Sequence, residues 1–325
     1  MVAEDSLIKS NNLTKVFTKG QGFSKSTLTA VNRVSFSMSA DRPEIFTLAG
    51  ESGSGKSTLA NLILGFEQPT SGSIEYKGST ISSIDSKKEK KVFMKDVQPV
   101  FQNPFETFNP LKTADTYLFE TEANYKMGEG SEHTVIERAL ELVGLTLEEI
   151  RGKYPSEMSG GQLQRTSIAR ALITNPSLLI TDEPVSMIDA SLRMSIVNLF
   201  KELKEKEGVS VVYITHDLAT AYYVSDRISI MLRGQIVEKG PVEKVLDNPL
   251  HPYTKILKES VPAPDPERKW EERIALSDME TKEYSMTGCK FSGRCPDVTE
   301  ICRNQQPDDL EVDERIVKCH LYQSL

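Results

Sequence analysis

The sequence predicts an α/β fold, in which buried β-strands alternate with helices. Leu178–Asp182 and residues 209–215 are short apolar runs without alternation, as expected of strands covered on both faces. A helical segment extends between them from about Ala190 to Glu207. A third strand, Ile45–Ala49, leads into a glycine-rich loop and then into a helix that ends near Gly65. These three observations place the chain in the α/β class.

Composition is that of an ordinary globular protein with one large core or two domains. The chain has 325 residues, of which 38% are hydrophobic and 26% charged. Its formal net charge is −8, whereas a nucleic-acid binder usually presents a basic face, so we expect no nucleic-acid partner. The longest apolar runs are strand-length, far short of the about 20 residues that cross a bilayer, and no segment resembles a secretory signal. We therefore expect a cytosolic chain whose membrane role, if any, needs a spanning partner.

The remaining elements are predicted in chain order. Residues 34–38 form a strand, and a turn over 39–43 separates it from Ile45–Ala49. From about 103 to 170 the pattern is mostly helical. Residues 228–232 and 235–238 suggest a hairpin around Arg233 and Gly234.

The character of the sequence changes after about residue 241, where prolines crowd together and a polar stretch follows. We therefore divide the chain into a first domain over 1–240, with a helical insert at about 103–170, and a C-terminal extension over 241–325.

The glycine-rich loop matches the phosphate-loop pattern G-x4-G-K-S. Its glycines permit positive φ angles, so that backbone N–H groups can close around phosphate oxygens, and the following helix directs its positive end at the same anion. Lys56 should reach the β- and γ-phosphates, and the Ser57 hydroxyl should bind Mg²⁺. The residues predicted to bind nucleotide here are Gly50, Ser52, Gly53, Ser54, Gly55, Lys56, Ser57 and Thr58.

Two carboxylates end the strand Leu178–Asp182. Asp182 is expected to hold Mg²⁺, most often through a water, and Glu183 to orient or deprotonate the attacking water. In isolation such a pair would only mark an acidic helix start after a strand. Its position after a phosphate loop favours the hydrolytic interpretation.

A second glycine motif, Met158-Ser159-Gly160-Gly161-Gln162, opens a helix predicted over 162–173. A small hydroxyl and backbone N–H groups at a helix start make a second anion site. The motif resembles the ABC ATPase signature LSGGQ, with Met158 in place of Leu. Over about residues 7–240 this resemblance implies a P-loop NTPase with a RecA-like core, an antiparallel β subdomain and a helical subdomain. It also implies that Ser159–Gln162 complete the ATP site of a partner subunit, so that two cassettes pair head to tail.

Four further positions match the family. Gln102 resembles the Q-loop residue, which senses Mg²⁺ and touches the membrane subunits, and His216 resembles the switch histidine that contacts the γ-phosphate. Asp189 resembles the D-loop aspartate. Phe17 sits where the family places an aromatic that stacks on adenine, although a core aromatic could equally anchor the loop after it. No departure from the family pattern removes a phosphate or Mg²⁺ ligand, so we expect ATP hydrolysis.

Two features resemble the oligopeptide/dipeptide group of ABC importers: the extended Q-loop from Phe101 to Phe105, and the His251-Pro252-Tyr253 tail. The resemblance implies a second ATPase subunit, identical or different, two transmembrane permease subunits and an extracellular solute-binding protein. It places the chain peripherally at the cytoplasmic face of the membrane. Members of the group also carry nickel, sugars and oligosaccharides, so the cargo stays open.

All four cysteines lie near the end of the chain, with the spacing C-x5-C-x6-C-x16-C. Four thiolates suit a Zn²⁺ ion or an iron–sulfur cluster, and a reducing cytosol disfavours disulfides. The family's tail commonly carries these cysteines, and some members bind a [4Fe–4S] cluster with them. We therefore expect a cluster, with Zn²⁺ or four reduced, packed thiols as alternatives, at Cys289, Cys295, Cys302 and Cys319.

Two other functions are open at this level. A soluble ABC ATPase acting on a macromolecule would tend to carry tandem cassettes, a coiled-coil insert or basic arms, none of which this acidic sequence shows. A non-hydrolysing regulatory partner is disfavoured by the intact Glu183 and the signature motif.

Overall fold

The computed structural model describes residues 6–19, 26–126, 132–186, 188–260 and 282–323. In chain order, the strands are β1 (Ser6–Lys19), β2 (Ser26–Ser39), β3 (Ile45–Ala49), β4 (Ser71–Tyr76), β5 (Ser79–Thr80), β6 (Val97–Val100), β7 (Leu178–Asp182), β8 (Ser210–Thr215), β9 (Arg227–Leu232), β10 (Gln235–Pro241), β11 (Leu310–Val312) and β12 (Arg315–Val317). The helices are α1 (Lys56–Ile63), α2 (Lys87–Asp96), α3 (Pro104–Thr107), α4 (Ala114–Tyr125), α5 (Glu132–Leu142), α6 (Leu147–Ile150), α7 (Gly160–Leu172), α8 (Ala190–Glu207), α9 (Leu218–Val224), α10 (Val242–Asp247), α11 (Pro252–Glu259) and α12 (Glu300–Asn304).

The chain forms two compact units. The first comprises Met1–Ala40, Phe46–Ser82 and Thr215–Leu325, and the second comprises Asp41–Ile45 and Ser83–Ile214. The glycine-rich loop and the C-terminal extension therefore share the first unit. No helix in the described part of the chain is long and apolar enough to span a bilayer.

An antiparallel sheet with the strand order β2-β1-β4-β5 forms one layer of the first unit. The alternation that predicts a strand over 34–38 is visible in β2, where Val34, Phe36 and Met38 are buried between more exposed neighbours. The buried Ser10 hydroxyl accepts the Phe36 N–H at 3.0 Å and donates to the Val34 carbonyl at 3.2 Å. These bonds satisfy polar groups at an irregularity of the β1–β2 pairing.

The other sheet of the first unit has the order β11-β12-β10-β9-β3. β3 pairs in parallel with β9, and the remaining pairs are antiparallel. β11 and β12 come from the C-terminal extension, which therefore continues the sheet beyond β10. A buried apolar cluster that includes Ile230, Tyr253 and Phe291 packs the extension onto this sheet.

The second unit has a parallel arrangement, β8-β7-β6. All six residues of β8 are buried, as its unbroken apolar sequence predicts. The helices α3 to α7 fall in the segment predicted to be mostly helical. In α5, Ile136 and Leu140 lie on the inner face and are fully buried.

Several predicted elements are confirmed at their ends: β3, β7 and α8 have the predicted bounds, and β9 and β10 form the expected hairpin. Other predictions were too short: β9 begins at Arg227 rather than 228, and β10 ends at Pro241 rather than 238. β2 begins at Ser26 rather than 34, because pairing with β1 extends it through residues whose burial does not alternate. The helix α7 begins at Gly160 rather than 162, because Ser159 caps it. The prolines at 262, 264 and 266 lie outside the described residues.

Candidate functional site

The phosphate loop follows β3 and depends on glycine backbones. Gly50, Gly53 and Gly55 have φ angles of 150°, 72° and 103°. A Cβ atom at Gly50 would lie 2.2 Å from the Met231 carbonyl oxygen, and one at Gly55 would lie 2.2 Å from that of Ala30. Both the positive φ and the close backbone approach therefore require glycine at 50 and 55.

Lys56, the first residue of α1, is buried beneath this loop. Its Nζ donates to the carbonyl oxygens of Gly50 and Glu51, both at 2.8 Å, and to the Ser54 hydroxyl at 3.3 Å. Gly55, the N-cap, provides no side-chain cap. The first-turn amide groups and the ammonium group thus provide the positive elements that an anion at a helix start requires.

The second unit brings Gln102 and Glu183 together at the end of β7. The Gln102 amide donates from Nε2 to Glu183 Oε2 at 3.0 Å, although the residues are 81 positions apart. Glu183 has a φ angle of 46°, and its N–H donates to the Ile214 carbonyl at 2.9 Å. Such a conformation costs about 1–3 kcal/mol for a residue other than glycine and is concentrated at functional sites.

The signature motif forms a reciprocal capping box at the start of α7. The Ser159 hydroxyl accepts the Gln162 N–H at 3.2 Å, and Gln162 Oε1 accepts the Ser159 N–H at 3.1 Å. Two of the residues predicted to bind phosphate therefore also bind each other. A Cβ atom at Gly161 would meet only the end of the Leu192 side chain, at 2.9 Å. A small shift of Leu192 would accommodate it, so packing within the chain does not demand glycine at 161.

The other predicted site residues lie at the ends of elements or on the surface. Asp189 is exposed at the N-cap of α8, and His216 is exposed just after β8. The neighbouring Met187 lies outside the described residues. Phe17, in β1, is 38% exposed, and Lys15 Nζ lies 5.0 Å from its ring centroid. Phe17 is therefore a surface aromatic and does not anchor a core.

Sequence reasoning missed a set of contacts between the extension and the phosphate loop. The Tyr253 hydroxyl accepts the Glu51 N–H at 2.9 Å, and the Tyr284 hydroxyl donates to the Gly53 carbonyl. Arg294 donates two hydrogen bonds to the Glu51 carboxylate, at 2.8 and 3.1 Å. These partners are 202 to 243 residues apart in sequence, so no local pattern could have revealed them.

Glu51 and Arg294 belong to a larger network of charges. Glu283 accepts from Arg294 at 2.6 Å and from Arg233 at 2.8 Å, and Arg233 also lies 3.5 Å from Glu51. The side chains of Glu283, Arg233 and Arg294 are 1%, 3% and 8% exposed. Buried charges of this kind are tolerated only when each is paired and hydrogen-bonded, and two cations here face two anions.

His251 fixes the position of Tyr253. Its Nδ1 accepts the Tyr253 N–H at 3.0 Å and so caps α11. The buried Glu238 carboxylate accepts the N–H groups of Leu250 at 2.9 Å and His251 at 3.0 Å. In the His-Pro-Tyr tail, His251 therefore caps the helix and Tyr253 contacts the phosphate loop.

The structure does not support the expected metal site at the four cysteines. The Cys289 N–H donates to the Cys302 carbonyl at 2.8 Å, and Cys289 and Cys295 pack against the apolar cluster around Tyr253 and Phe291. Burial, together with the neighbouring thiols, raises the pKa of Cys289 to about 11. Among the described residues no three Cys, His, Asp or Glu side chains are disposed to hold one ion. The expectation of a [4Fe–4S] cluster or Zn²⁺ is therefore unsupported.

Two family profiles match the chain: "ABC transporter" over residues 31–186 and "Oligopeptide/dipeptide transporter, C-terminal region" over 237–302. The oligopeptide transport ATP-binding protein AppF of Bacillus subtilis (strain 168) is 40% identical over 299 residues, covering 90% of this chain and 89% of that protein. The di/tripeptide transport ATP-binding protein DppF of Pseudomonas aeruginosa (strain UCBPP-PA14) is 35% identical over 322 residues, covering 97% and 98%.

Solved structures agree with this match. A dimeric ATP-binding cassette, MJ0796, bound to ADP and Pi, superposes with a TM-score of 0.62 at 29% identity, covering 72% of this chain and 98% of that one. CbiO1 from Clostridium perfringens superposes with a TM-score of 0.64 at 25% identity, covering 75% and 92%. The predicted P-loop NTPase fold is confirmed, and so are ATP as substrate, Mg²⁺ as cofactor and ATP hydrolysis as the activity. The chain belongs to the ATP-binding subunits of ABC transporters, in the group that carries the oligopeptide/dipeptide transporter C-terminal region.

Proposed function

We propose that the chain energises the import of peptides or related solutes from the cytoplasmic face of a membrane. It would act with a second ATPase subunit, two permease subunits and an extracellular solute-binding protein, as a cassette over residues 1–240 joined to an extension over 241–325. The observation that carries the proposal is the presence of an ABC cassette and an oligopeptide-type C-terminal region in one chain. Relatives covering nine-tenths of the chain are named for oligopeptide and di/tripeptide transport.

The phosphate-binding residues would stabilise charge during phosphoryl transfer. Lys56 would neutralise the β- and γ-phosphates, and Phe17 would stack on adenine. Ser57, Asp182 and Gln102 would hold Mg²⁺, which when bound would neutralise the developing charge on the phosphate oxygens.

Glu183 would orient or deprotonate the attacking water. The hydrogen bond from Gln102 supports this role, because it holds the carboxylate in one orientation. His216 would contact the γ-phosphate at the same stage.

The signature helix would act on the nucleotide of the partner subunit. Its residues Ser159 to Gln162, with Asp189, would complete that site, so that two ATP molecules lie between two head-to-tail chains. The glycine at 161 supports this role, because packing within the chain does not require it while a close-approaching phosphate would.

The permease would dock beside Gln102. Phe101 and Phe105 flank that residue in sequence with exposed aromatic rings, and Leu111, further along the same segment, is even more exposed. An exposed apolar patch of this kind suits an amphipathic helix of a membrane partner. Co-purification from native membranes tests the assignment: permease and solute-binding subunits support it, whereas nucleic acid or ribosomes would establish the macromolecule-directed alternative.

The catalytic assignment is tested by Glu183→Gln. We expect this variant to bind ATP as the wild type does and to lose about 10²- to 10⁴-fold in kcat, as the removal of a general base does. Glu202→Gln makes the same chemical change on the exposed face of α8 and serves as the control. If Glu183→Gln kept more than about a tenth of kcat, Glu183 would not be the base.

A further inference from the structure

Residues of the C-terminal extension hold the phosphate loop at two of its peptide units, the Glu51 N–H and the Gly53 carbonyl. We call Tyr253, Tyr284 and Arg294 the loop brace. The Tyr253 hydroxyl accepts a hydrogen bond from the Glu51 N–H, and the Tyr284 hydroxyl donates one to the Gly53 carbonyl. Arg294 donates two hydrogen bonds to the Glu51 carboxylate. The first half of the loop is therefore fixed through both backbone and side chain from outside the cassette.

Arg294 is itself held rigidly. Its guanidinium lies 5.2 Å from the ring centroid of Phe291 and 5.9 Å from that of Tyr253. Its backbone N–H and that of Cys295 both donate to the Phe291 carbonyl, at 3.0 and 2.9 Å. Two aromatic rings and a tight turn thus set the direction of the planar fork, which matches a carboxylate in only a few orientations.

The buried charges make this arrangement selective. Arg294 and Arg233 share the carboxylates of Glu51 and Glu283, and a displaced Glu51 would leave buried cations without one of their anions. Because uncompensated buried charge is costly, the network favours one position of Glu51 over others. The peptide units that follow Glu51 are those expected to cradle phosphate oxygens.

We propose that Tyr253, Tyr284 and Arg294 are positioning residues for nucleotide binding. They hold the loop from Gly50 to Gly55 in the conformation in which its amide groups meet the phosphates, so that the C-terminal extension sets the affinity of the site for ATP. A ligand site that is already ordered loses less conformational freedom on binding. Removal of the loop brace should therefore weaken nucleotide binding more than it slows ATP hydrolysis by the nucleotide-bound protein.

The first test removes hydroxyl groups without changing side-chain shape. In Tyr253→Phe/Tyr284→Phe, we expect the Kd for MgATP and the KM to rise about tenfold together, since each hydrogen bond is worth about a factor of two to ten. At saturating ATP, kcat should stay within about twofold of the wild type. Tyr322→Phe is the matched control, because its hydroxyl donates to the Leu250 carbonyl at 3.0 Å within the same extension.

The second test uses charge. Arg294→Met should raise the Kd for MgATP further, and Arg294→Lys, which keeps the charge but loses the fork, should restore part of the affinity. Arg315→Met removes another buried arginine of the extension, which binds the carbonyls of Lys244 and Asn248 instead of the loop. Melting temperatures are recorded for every variant.

Two results would overturn the proposal. One is a wild-type Kd in the double tyrosine variant, and the other is an equal rise in Kd in the Tyr322→Phe or Arg315→Met control. Either would make the contacts merely structural. The binding measurement needs neither permease nor cargo, so its outcome is separate from that of the import proposal.

Discussion

At the scale of single residues, His251 has a strongly lowered pKa. Burial, with a smaller effect of Lys255, lowers its pKa from an ordinary 6.5 to about 3. The imidazole therefore stays neutral while its Nδ1 accepts the Tyr253 N–H. Below about pH 6.5 the unfolded chain binds a proton at this position that the folded protein does not bind.

The pH dependence of stability should reveal this residue. Because the folded pKa is depressed, the stabilisation is complete above about pH 6.5 and is lost as pH falls towards 3, by about 1.4 kcal/mol per pH unit. We expect the free energy of unfolding to fall by about 1.4 kcal/mol less in His251→Asn than in the wild type when the pH is lowered from 7.5 to 5.5. The asparagine keeps a side-chain oxygen that can cap the helix. Denaturant titrations at both pH values measure the difference.

Glu238 makes the opposite contribution to the pH dependence of stability, and the comparison of wild type with His251→Asn must cancel it. Burial raises the pKa of its carboxyl group despite hydrogen bonds from Leu250 and His251. Stability from this group is thus present below the unfolded pKa and lost as pH rises through the folded one. Glu238 is present in both proteins, so the difference between them isolates His251. Parallel pH profiles for the two would show that the pKa of His251 is the same in the folded and unfolded states.

At the scale of elements, two helices of the second unit begin with the same structure. Ser86 and Glu89 form a capping box at α2, as Ser159 and Gln162 do at α7. The serine hydroxyl accepts the N3 amide hydrogen at 3.1 Å in α2 and at 3.2 Å in α7. The two capping boxes should therefore stabilise their helices equally, and the two serines should differ only in their effect on ATP hydrolysis.

This pair separates a capping role from a catalytic one. Ser86→Ala and Ser159→Ala should each lower the free energy of unfolding by about 1 kcal/mol. Only Ser159→Ala should also lower kcat, by about 10²-fold, if its hydroxyl stabilises phosphate charge in the partner's site. Thermal denaturation and steady-state ATPase assays give the two quantities. Equal ATPase rates in the two variants would reduce the signature serine to a helix cap.

At the scale of the whole molecule, one chain carries both a phosphate loop and a signature helix. If the two serve different nucleotides, an isolated chain binds ATP but cannot hydrolyse it efficiently. Turnover per chain should therefore rise with protein concentration, or on addition of the second ATPase subunit, while the Kd for ATP measured on dilute protein stays constant. Turnover independent of both concentrations would mean that a single chain holds a complete site.

The amino-acid sequence by itself determined the parts whose physics is local. The phosphate loop is a run of consecutive residues whose glycines, lysine and hydroxyl suffice to predict an anion site. β3 and β7 were predicted to the residue and α8 approximately, because an apolar run or a helical period between clear breaks is itself the cause of the element. Family resemblance assigned Gln102 and Glu183 separate roles at the nucleotide, and only the structure shows the hydrogen bond between them.

Tertiary structure decided everything that depends on partners distant in sequence. The brace on Glu51 joins residues more than 200 positions apart, and no composition or period encodes such a pair. The cysteines show the same limit, because one spacing serves both metal ligands and packed thiols, and the described side chains are not disposed to hold one ion. Local chemistry follows from neighbouring residues, whereas the mutual placement of buried charges and rings is fixed only when the chain folds back on itself.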